Sequence, residues 1–368
     1  MSHFPIIKAT FPDPSFTPHK IARRLFEHLL HLRAARAGID LPDESGLGSS
    51  DYRRVDDPDL VLWTVDDRQR VDRRARLLHE CVQRKSGLGH LSRDDRDRLS
   101  ILRDGVRLAR ISSEHQADEF AARLHDEMPW MAPATEFAWH AMRRSVREGR
   151  PGFRLPPVIL DGPPGVGKSR WAPRLGELIG ATSMVVDATG EAGSFGIVGC
   201  QRGWSSARPG WVLEHVLAHL TGNPVVVVDE VEKSGIARSS GGRSYGLAEA
   251  LLPLLEPTTA ADWNCPYYRV QFDMSLMSWI LLTNSMDPLP EPLLSRCTFL
   301  RLQEVELSDL IAFALREGSR HGLSEAPISS VTDALSAVAP RAATRPSLRT
   351  VLRMLDRADD LENRPWVV

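Results

Sequence analysis

The chain has 368 residues, of which 42% are hydrophobic and 26% are charged, and its formal net charge is -2. This composition is typical of a globular protein of two or three structural units, and the charge gives no overall reason to expect nucleic-acid or anionic-membrane binding. The sequence has neither a signal-peptide pattern nor an apolar run long enough to cross a membrane, so we expect a cytoplasmic protein with no membrane partner. The four cysteines lack metal-binding spacing and are expected to be reduced thiols.

Residues 1–125 are predicted to form an N-terminal helical domain, because apolar residues recur at helical spacing from Ile21 to Leu32 and further helix boundaries follow. Gly38 and Gly87 end the first two helices, and Ser92 with Asp95 forms a capping-box-like start for a third. The predicted elements are a helix over residues 20–37, a surface loop over residues 42–58, a helix over residues 67–85 and a helix that begins after Ser92.

An arginine-rich segment occupies residues 68–110, with 13 Lys/Arg and 6 Asp/Glu. One interpretation is a solvated helix surface with Arg/Asp pairs, and the other is a docking face for an acidic protein or a nucleic acid. No aromatic residues alternate with these arginines, so the segment has no platform on which bases would stack.

From Pro156 onward, short β-rich runs alternate with helical segments, which is typical of βαβ units around a parallel sheet. We therefore predict an α/β fold, with a parallel sheet between helices. The segment from Glu304 to the C-terminus has no strand-like run and is predicted to be a small helical unit. The predicted strands are PVIL, SMVVD, PVVVVDE and SWILLTN.

Residues 162–169 read GPPGVGKS and fit the phosphate-binding pattern GxxxxGK[ST], directly after the first predicted strand. Backbone amides of such a loop point at phosphate oxygens, and the following helix adds the positive end of its dipole. Lys168 would neutralise β/γ-phosphate charge, and the Ser169 hydroxyl would bind Mg²⁺. The predicted nucleotide-binding residues of the loop are Gly162, Pro163, Pro164, Gly165, Val166, Gly167, Lys168 and Ser169. The predicted ligands are therefore a nucleoside triphosphate, taken to be ATP, and Mg²⁺.

Two carboxylates end the strand VVVVDE, sixty residues after the loop. A β-branched run of this kind belongs in the centre of a parallel sheet, whose C-terminal edge is where such folds bind ligands. Asp229 would hold Mg²⁺, and Glu230 would act as the general base on the attacking water.

A third predicted strand ends at Asn284, at the same edge of the sheet. This amide could orient the attacking water, or it could form an Asx turn at the strand end. Arg296, in the segment PLLSR, could stabilise charge in the transition state or could be a surface salt-bridge residue.

Taken in order, DGPPGVGKS, VVVVDEVEK, LLTN and PLLSR resemble the motifs of an AAA+ ATPase. Two intervening segments resemble the Lon-type branch of that family: residues 198–210 (VGCQRGWSSARPG) and the spaced pattern over residues 251–275. This resemblance covers about residues 156–301. The segment over residues 346–353 resembles the sensor 2 helix of the family's helical lid.

The resemblance implies roles for residues that local chemistry leaves open. It assigns Lys168 and Ser169 to Walker A, Asp229 and Glu230 to Walker B, Asn284 to sensor 1, Arg296 to the arginine finger, Arg349 to sensor 2 and Trp204 to pore loop 1. Trp204 would grip a translocating polypeptide, although Trp204 and Trp211 could instead be ordinary packing aromatics. Residues 234–246 would form a second pore-facing loop. A finger that acts on a neighbour's ATP requires a closed ring, which we expect to be a hexamer.

The resulting expectation is an ATP-hydrolysing AAA+ motor that remodels or threads protein clients. Because Val368 follows the predicted lid directly and no peptidase segment is seen, the expected activity is ATPase without proteolysis. Residues 1–125, which do not resemble the usual Lon N-terminal domain, would select the client or partner. Residues 126–303 would form the large ATPase subdomain, and residues 304–368 the lid. The alternatives are a nucleic-acid-directed ATPase of repair or defence, whose support is the arginine-rich segment, and a nucleotide-switched scaffold.

Overall fold

A computed structural model describes residues 3–13, 15–38, 63–189, 193–203, 207–234, 236–238, 244–287, 289–338 and 346–363. The chain forms two compact units. One comprises residues 8–103, and the other comprises residues 1–7 together with residues 104–368.

The unit of residues 8–103 is helical in its described part, as predicted. Its helices are α1 (Pro18–Ala37), α2 (Val65–Lys85) and α3 (Arg93–Ser100). Gly38 ends α1 in the left-handed conformation at φ 71°, and the Ser92 side chain accepts a hydrogen bond from the Asp95 backbone at the start of α3. Within this unit the Arg33 guanidinium pairs with both carboxylate oxygens of Asp67, at 2.6 and 2.9 Å. This pair joins α1 to the first turn of α2.

The second unit contains a five-stranded sheet in the order β2-β3-β8-β1-β9, and every pairing in it is parallel. Two short antiparallel pairs, β4 with β5 and β6 with β7, lie outside this sheet. The strands are β1 (Val158–Asp161), β2 (Ser183–Asp187), β3 (Val225–Asp229), β4 (Ile236–Arg238), β5 (Ser244–Gly246), β6 (Trp263–Asn264), β7 (Gln271–Phe272), β8 (Ser278–Thr283) and β9 (Thr298–Arg301).

Eleven helices of the second unit lie in the described residues. They are α4 (Glu114–Glu127), α5 (Ala132–Arg147), α6 (Lys168–Ile179), α7 (Gly193–Val198), α8 (Trp211–His219), α9 (Leu247–Leu255), α10 (Pro257–Ala260), α11 (Glu291–Leu294), α12 (Leu307–Arg320), α13 (Glu325–Ser336) and α14 (Leu348–Glu362). The predicted α/β fold with a parallel sheet and a C-terminal helical segment is confirmed.

The central strands explain where the site forms. The four valines of β3 are fully buried, as are all residues of β8, because both faces of these strands are covered. Parallel pairing then brings their C-terminal ends to one edge: Asp187 pairs with Asp229, and Asp161 pairs with Thr283. The polar residues that follow each buried strand therefore meet at that edge.

The compact units divide the chain at different places from the predicted domain boundaries. Helix α4 belongs to the second unit, because Ala117 and Leu124 are buried in the same hydrophobic core as β1 and β3. Residues 3–7 also belong to it, since Phe4 bridges Val106 and Ile7 bridges Phe272. The C-terminal helices contribute buried residues to this same core.

The predicted surface loop over residues 42–58 lies outside the described residues. Among the helices that the structure describes, none combines the length and apolar character that a membrane span requires. The four cysteines, all within the described ranges, are free thiols.

Candidate nucleotide-binding site

The phosphate-binding loop joins β1 to α6, and two of its glycines hold conformations that other residues rarely adopt. Gly165 has φ 83° and Gly167 has φ 96°. A Cβ atom on Gly165 would lie 2.9 Å from Ser347 Cβ, and one on Gly162 would lie 2.9 Å from Leu302 Cβ. The loop is therefore tightly curled and packed on both sides, and glycine is required by the backbone angle and by the close neighbours.

Lys168 begins α6 and turns its side chain back into the loop. Its Nζ atom donates to the Gly162 carbonyl at 2.5 Å, to the Pro163 carbonyl at 3.2 Å and to Asn284 Oδ1 at 3.0 Å. The residue is 6% exposed. Burial lowers the pKa of the Lys168 ammonium, while the nearby Asp229 carboxylate acts in the opposite direction. The positive charge is thus held where the loop surrounds it.

The end of β3 meets the start of α6. The Ser169 hydroxyl donates to Asp229 Oδ2 at 2.7 Å, and Asp229 Oδ1 accepts from the Glu230 backbone at 2.9 Å. Glu230 adopts a left-handed backbone at φ 54°, which turns the chain sharply as it leaves the sheet. Its carboxylate pairs with Lys233 Nζ at 2.5 Å. The two hard oxygen ligands predicted for Mg²⁺ therefore lie side by side.

The amide predicted from the end of β8 reaches both neighbouring strand ends. Asn284 Oδ1 accepts from Lys168, and Asn284 Nδ2 donates to Glu232 Oε1 at 3.0 Å. The amide therefore connects the phosphate-binding loop to the turn that follows β3.

A cavity of about 470 Å³ opens beside the loop, a size within the usual range for small-molecule sites. Its polar side carries the residues just described, together with Asp187 at the end of β2. Its other side is formed by the C-terminal helices, which contribute the apolar Phe313, Leu348 and Leu352 and the cation Arg349. The Leu348 backbone donates to the Gly165 carbonyl at 3.3 Å, so α14 begins at the loop itself.

Comparison with known proteins agrees with this geometry. Residues 158–305 match the ATPase family associated with various cellular activities (AAA). The Lon protease of Koribacter versatilis (strain Ellin345) is 30% identical over 172 residues, which cover 47% of this chain and 20% of that relative. The Lon protease of Treponema pallidum (strain Nichols) is 30% identical over 218 residues, covering 58% of this chain and 24% of that relative.

Residues 158–305 are an AAA+ ATPase module of the Lon type. The predicted family resemblance is therefore confirmed. The peroxisomal Lon protease homolog 2 of Arabidopsis thaliana is 29% identical over 220 residues, which are 24% of its length. The chain thus spans about a fifth to a quarter of the curated relatives it matches.

Among the predicted site residues, Arg296 lies away from this cavity and Trp204 falls outside the described part of the chain. Arg296 follows α11, is exposed and donates to the Pro292 carbonyl at 2.9 Å. Arg296 is not among the described residues that line the cavity. Trp204 lies outside the described residues, as does the centre of the predicted second pore loop.

Three residues of the AAA+ module's site were not predicted from the sequence. Trp130 donates its indole N–H to the Val166 carbonyl at 2.8 Å, Asp187 lines the cavity, and Glu232 holds Asn284. Asp187 ends a predicted strand, and this position at the C-terminal edge of the sheet was the sequence signal that could have identified it as a site residue. Glu232 stands two residues after Glu230, and the available signal was a second acid close to the predicted base. Trp130 had no local signal, because its contact depends on how the segment between α4 and α5 folds over the loop.

Proposed function

We propose that this chain binds and hydrolyses ATP with Mg²⁺ in the cavity between the phosphate-binding loop and the C-terminal helices. The observation that carries the proposal is the convergence of three separated segments. Ser169 contacts Asp229 at 2.7 Å, and Lys168 contacts Asn284 at 3.0 Å. A cation, a hydroxyl, a carboxylate and an amide at one sheet edge are the groups that phosphoryl transfer uses.

The roles of these groups follow from their chemistry. Lys168 and the loop amides bind the β/γ-phosphates, and Ser169 with Asp229 would hold Mg²⁺, which neutralises phosphate charge when bound. Glu230 accepts a proton from the attacking water, and Asn284 orients that water. For Glu230 to act as a base, its carboxylate must leave Lys233 and turn toward the phosphates. Arg349 supplies a further positive charge from the lid.

The apolar part of the cavity fits the other end of the nucleotide. Phe313, Leu348 and Leu352 provide the flat and aliphatic surface that a purine ring requires. Since all three come from the C-terminal helices, nucleotide binding would bridge the sheet and the lid. Movement of the lid during turnover is then the expected way to convert hydrolysis into mechanical work.

We further propose that Arg296 serves the active site of a neighbouring copy. Its exposed position away from its own chain's cavity supports this role. A residue that acts in trans requires head-to-tail contacts, which close into a ring, and we expect a hexamer.

The proposed work of this ring is the remodelling or threading of protein clients. Gly199 forms an antiparallel β-bridge with Pro209, and these residues flank the predicted position of Trp204 in the sequence. A Cβ on Gly210 would lie 2.1 Å from the Ile197 carbonyl oxygen, so the backbone beside this bridge has no room for a larger residue. Strands β4 and β5 pair within the predicted second pore loop. Backbone pairing in both predicted pore-loop segments supports a role in gripping a polypeptide.

Two substitutions test the hydrolysis proposal. Lys168→Ala should abolish nucleotide binding, because no other described cation sits within the loop. Glu230→Gln should retain ATP affinity and lower turnover about 10²- to 10⁴-fold, the usual range for loss of a general base. Lys85→Ala and Glu325→Gln, which change exposed residues that do not line the cavity, are the matched controls. Turnover at the wild-type rate in Glu230→Gln would contradict the assignment of the base.

A mixing experiment tests the ring. Arg296→Ala keeps an intact site but lacks the finger, whereas Lys168→Ala keeps the finger but lacks the site. Each variant should be inactive alone, and their mixture should regain ATPase activity because adjacent copies complement each other. Light scattering of Glu230→Gln with and without ATP should report the ring directly. An unchanging monomer together with no complementation would refute action in trans.

Client remodelling needs its own test. Trp204→Ala should leave ATPase activity largely intact and remove unfolding of an added client, while Trp263→Ala serves as a comparison at a buried tryptophan outside the loop. Unfolding by Trp204→Ala at the wild-type rate would argue against a gripping role for Trp204.

A further inference from the structure

Glu232 lies in the short turn Val231–Lys233 that follows β3, and it contacts the end of β8. Its Oε1 atom accepts two hydrogen bonds from Asn284, one from the backbone N–H at 3.2 Å and one from Nδ2 at 3.0 Å. The two residues are 52 positions apart in the chain. One carboxylate oxygen therefore holds both the backbone and the side chain of the amide predicted to orient water.

This contact decides which way the amide faces. With Nδ2 bound to the Glu232 carboxylate, Oδ1 points at Lys168 Nζ, 3.0 Å away. The reversed amide would place its N–H₂ against an ammonium and its carbonyl against a carboxylate, and both contacts would be repulsive. The charges on both sides thus select a single orientation of Asn284.

The position of Glu232 is costly for a residue that merely fills a turn. Its Oε2 atom is buried and has no hydrogen-bond partner among the described residues. A carboxylate that is partly unsatisfied yet holds both the backbone and the side chain of Asn284 is better explained by the site than by local stability.

We propose that Glu232 is a positioning residue, which locks the Asn284 amide with its carbonyl toward Lys168. This inference rests on the proposed ATP hydrolysis at the same site. Glu232 does not reach the reacting atoms itself. It acts through Asn284, so that the water-orienting amide is already aligned when nucleotide binds and loses no free energy to reorientation during the reaction.

A double-mutant cycle separates this role from a structural one. Glu232→Ala should lower kcat about tenfold, a typical loss when a water-orienting group is misaligned, with less than about threefold change in ATP affinity. Glu232→Gln keeps an acceptor for Asn284 and should retain most of the turnover. In an Asn284→Ala background, Glu232→Ala should have no further effect, because the residue through which it acts is gone. Glu325→Ala is the control for removal of a carboxylate.

Glu232→Asp provides a second variant that keeps the charge and the fold. The shorter side chain withdraws its oxygens from Asn284, so kcat should fall as in Glu232→Ala. Additive losses in the double variant, or equal losses of nucleotide affinity in the Ala, Gln and Asp variants, would overturn the inference. Absence of turnover in the wild-type protein would instead refute the proposed hydrolysis, and the two failures are therefore distinguishable.

Discussion

Asn223 is a buried connector of the ATPase unit, and its replacement provides the sharpest stability test. The side chain lies in the turn before β3 and is 1% exposed. Its Nδ2 donates to the Ala109 and Phe153 carbonyls, each at 2.8 Å, and its Oδ1 accepts from the Ala109 backbone at 2.8 Å. One amide thus joins the backbone at Ala109 and at Phe153, which lie 44 residues apart in the chain, to the turn before β3.

The expected cost of Asn223→Ala follows from these three bonds. Each contributes about 0.5–1.5 kcal/mol net, so their loss should destabilise the unit by about 2–4 kcal/mol. For a unit of this size the melting temperature should fall by about 5–12 °C. Asn223→Asp keeps the acceptor but loses both donated hydrogen bonds and buries a negative charge. Its loss of stability should therefore be at least as large as that of Asn223→Ala.

Urea unfolding followed by tryptophan fluorescence is a suitable assay. Of the nine tryptophans, Trp63 alone lies in the unit of residues 8–103, so the signal reports mainly on the ATPase unit. Asn264→Ala, at an exposed asparagine of β6, is the matched control and should change stability by less than about 0.5 kcal/mol. An equally small effect of Asn223→Ala would refute the reasoning from buried hydrogen bonds.

The remaining predictions concern the loop, the lid and the helical unit. Gly165→Ala should weaken nucleotide binding, measured with a fluorescent analogue, because φ 83° costs about 1–2 kcal/mol for alanine and its Cβ would also press on Ser347. Glu317→Ala should lower nucleotide affinity severalfold, because this buried carboxylate holds Arg170 at 2.9 Å and so joins the lid to α6. In the helical unit, the Arg33 guanidinium lowers the pKa of Asp67 well below its ordinary value, so this stabilisation is present above about pH 4 and is lost as pH falls through the lowered pKa. Hydrogen exchange of α1 and α2 at matched pH should therefore be less acid-sensitive in Asp67→Asn than in the wild type.

Each of these predictions has a defined contrary result. Gly149 also has a positive φ, 60°, but no atom lies within 4 Å of the position that a Cβ would occupy there, so Gly149→Ala measures strain without a clash. If Gly149→Ala and Gly165→Ala changed nucleotide affinity equally, the close contact with Ser347 would not explain the effect of Gly165→Ala. Wild-type affinity in Glu317→Ala would show that the lid is held by other contacts. Identical acid profiles for the wild type and Asp67→Asn would exclude the Arg33 pair as the source of acid sensitivity.

Much of the fold could be predicted because its signals are local. The valines of β3 form an uninterrupted apolar run, and such a run is stable as a strand covered on both faces. Gly38 and Ser92 mark helix ends through backbone angle and side-chain capping, which depend on neighbouring residues alone. The short strands β4, β5, β6, β7 and β9 were not predicted, because they lack the uninterrupted aliphatic run that identified β1 and are otherwise too short to be distinguished from loop.

The sequence by itself determined the phosphate-binding loop pattern and the family resemblance of this protein. Residues 162–169 are consecutive, so the loop's glycines, Lys168 and Ser169 are placed together by the chain itself. Asp229 ends β3 and Asn284 directly follows β8, and parallel pairing carries both to one edge of the sheet. The family resemblance rests on these same contiguous segments.

Tertiary structure alone decided the contacts whose partners are distant in the chain. Glu232 meets Asn284 because a turn after β3 lies beside the end of β8, and the direction of a side chain in that turn is not fixed by residue spacing. Trp130 caps the loop, Glu317 holds Arg170, and residues 3–7 join the ATPase unit for the same reason. A hydrogen bond requires its atoms to lie within about 3.5 Å, and only the packed arrangement of helices and strands sets distances that finely.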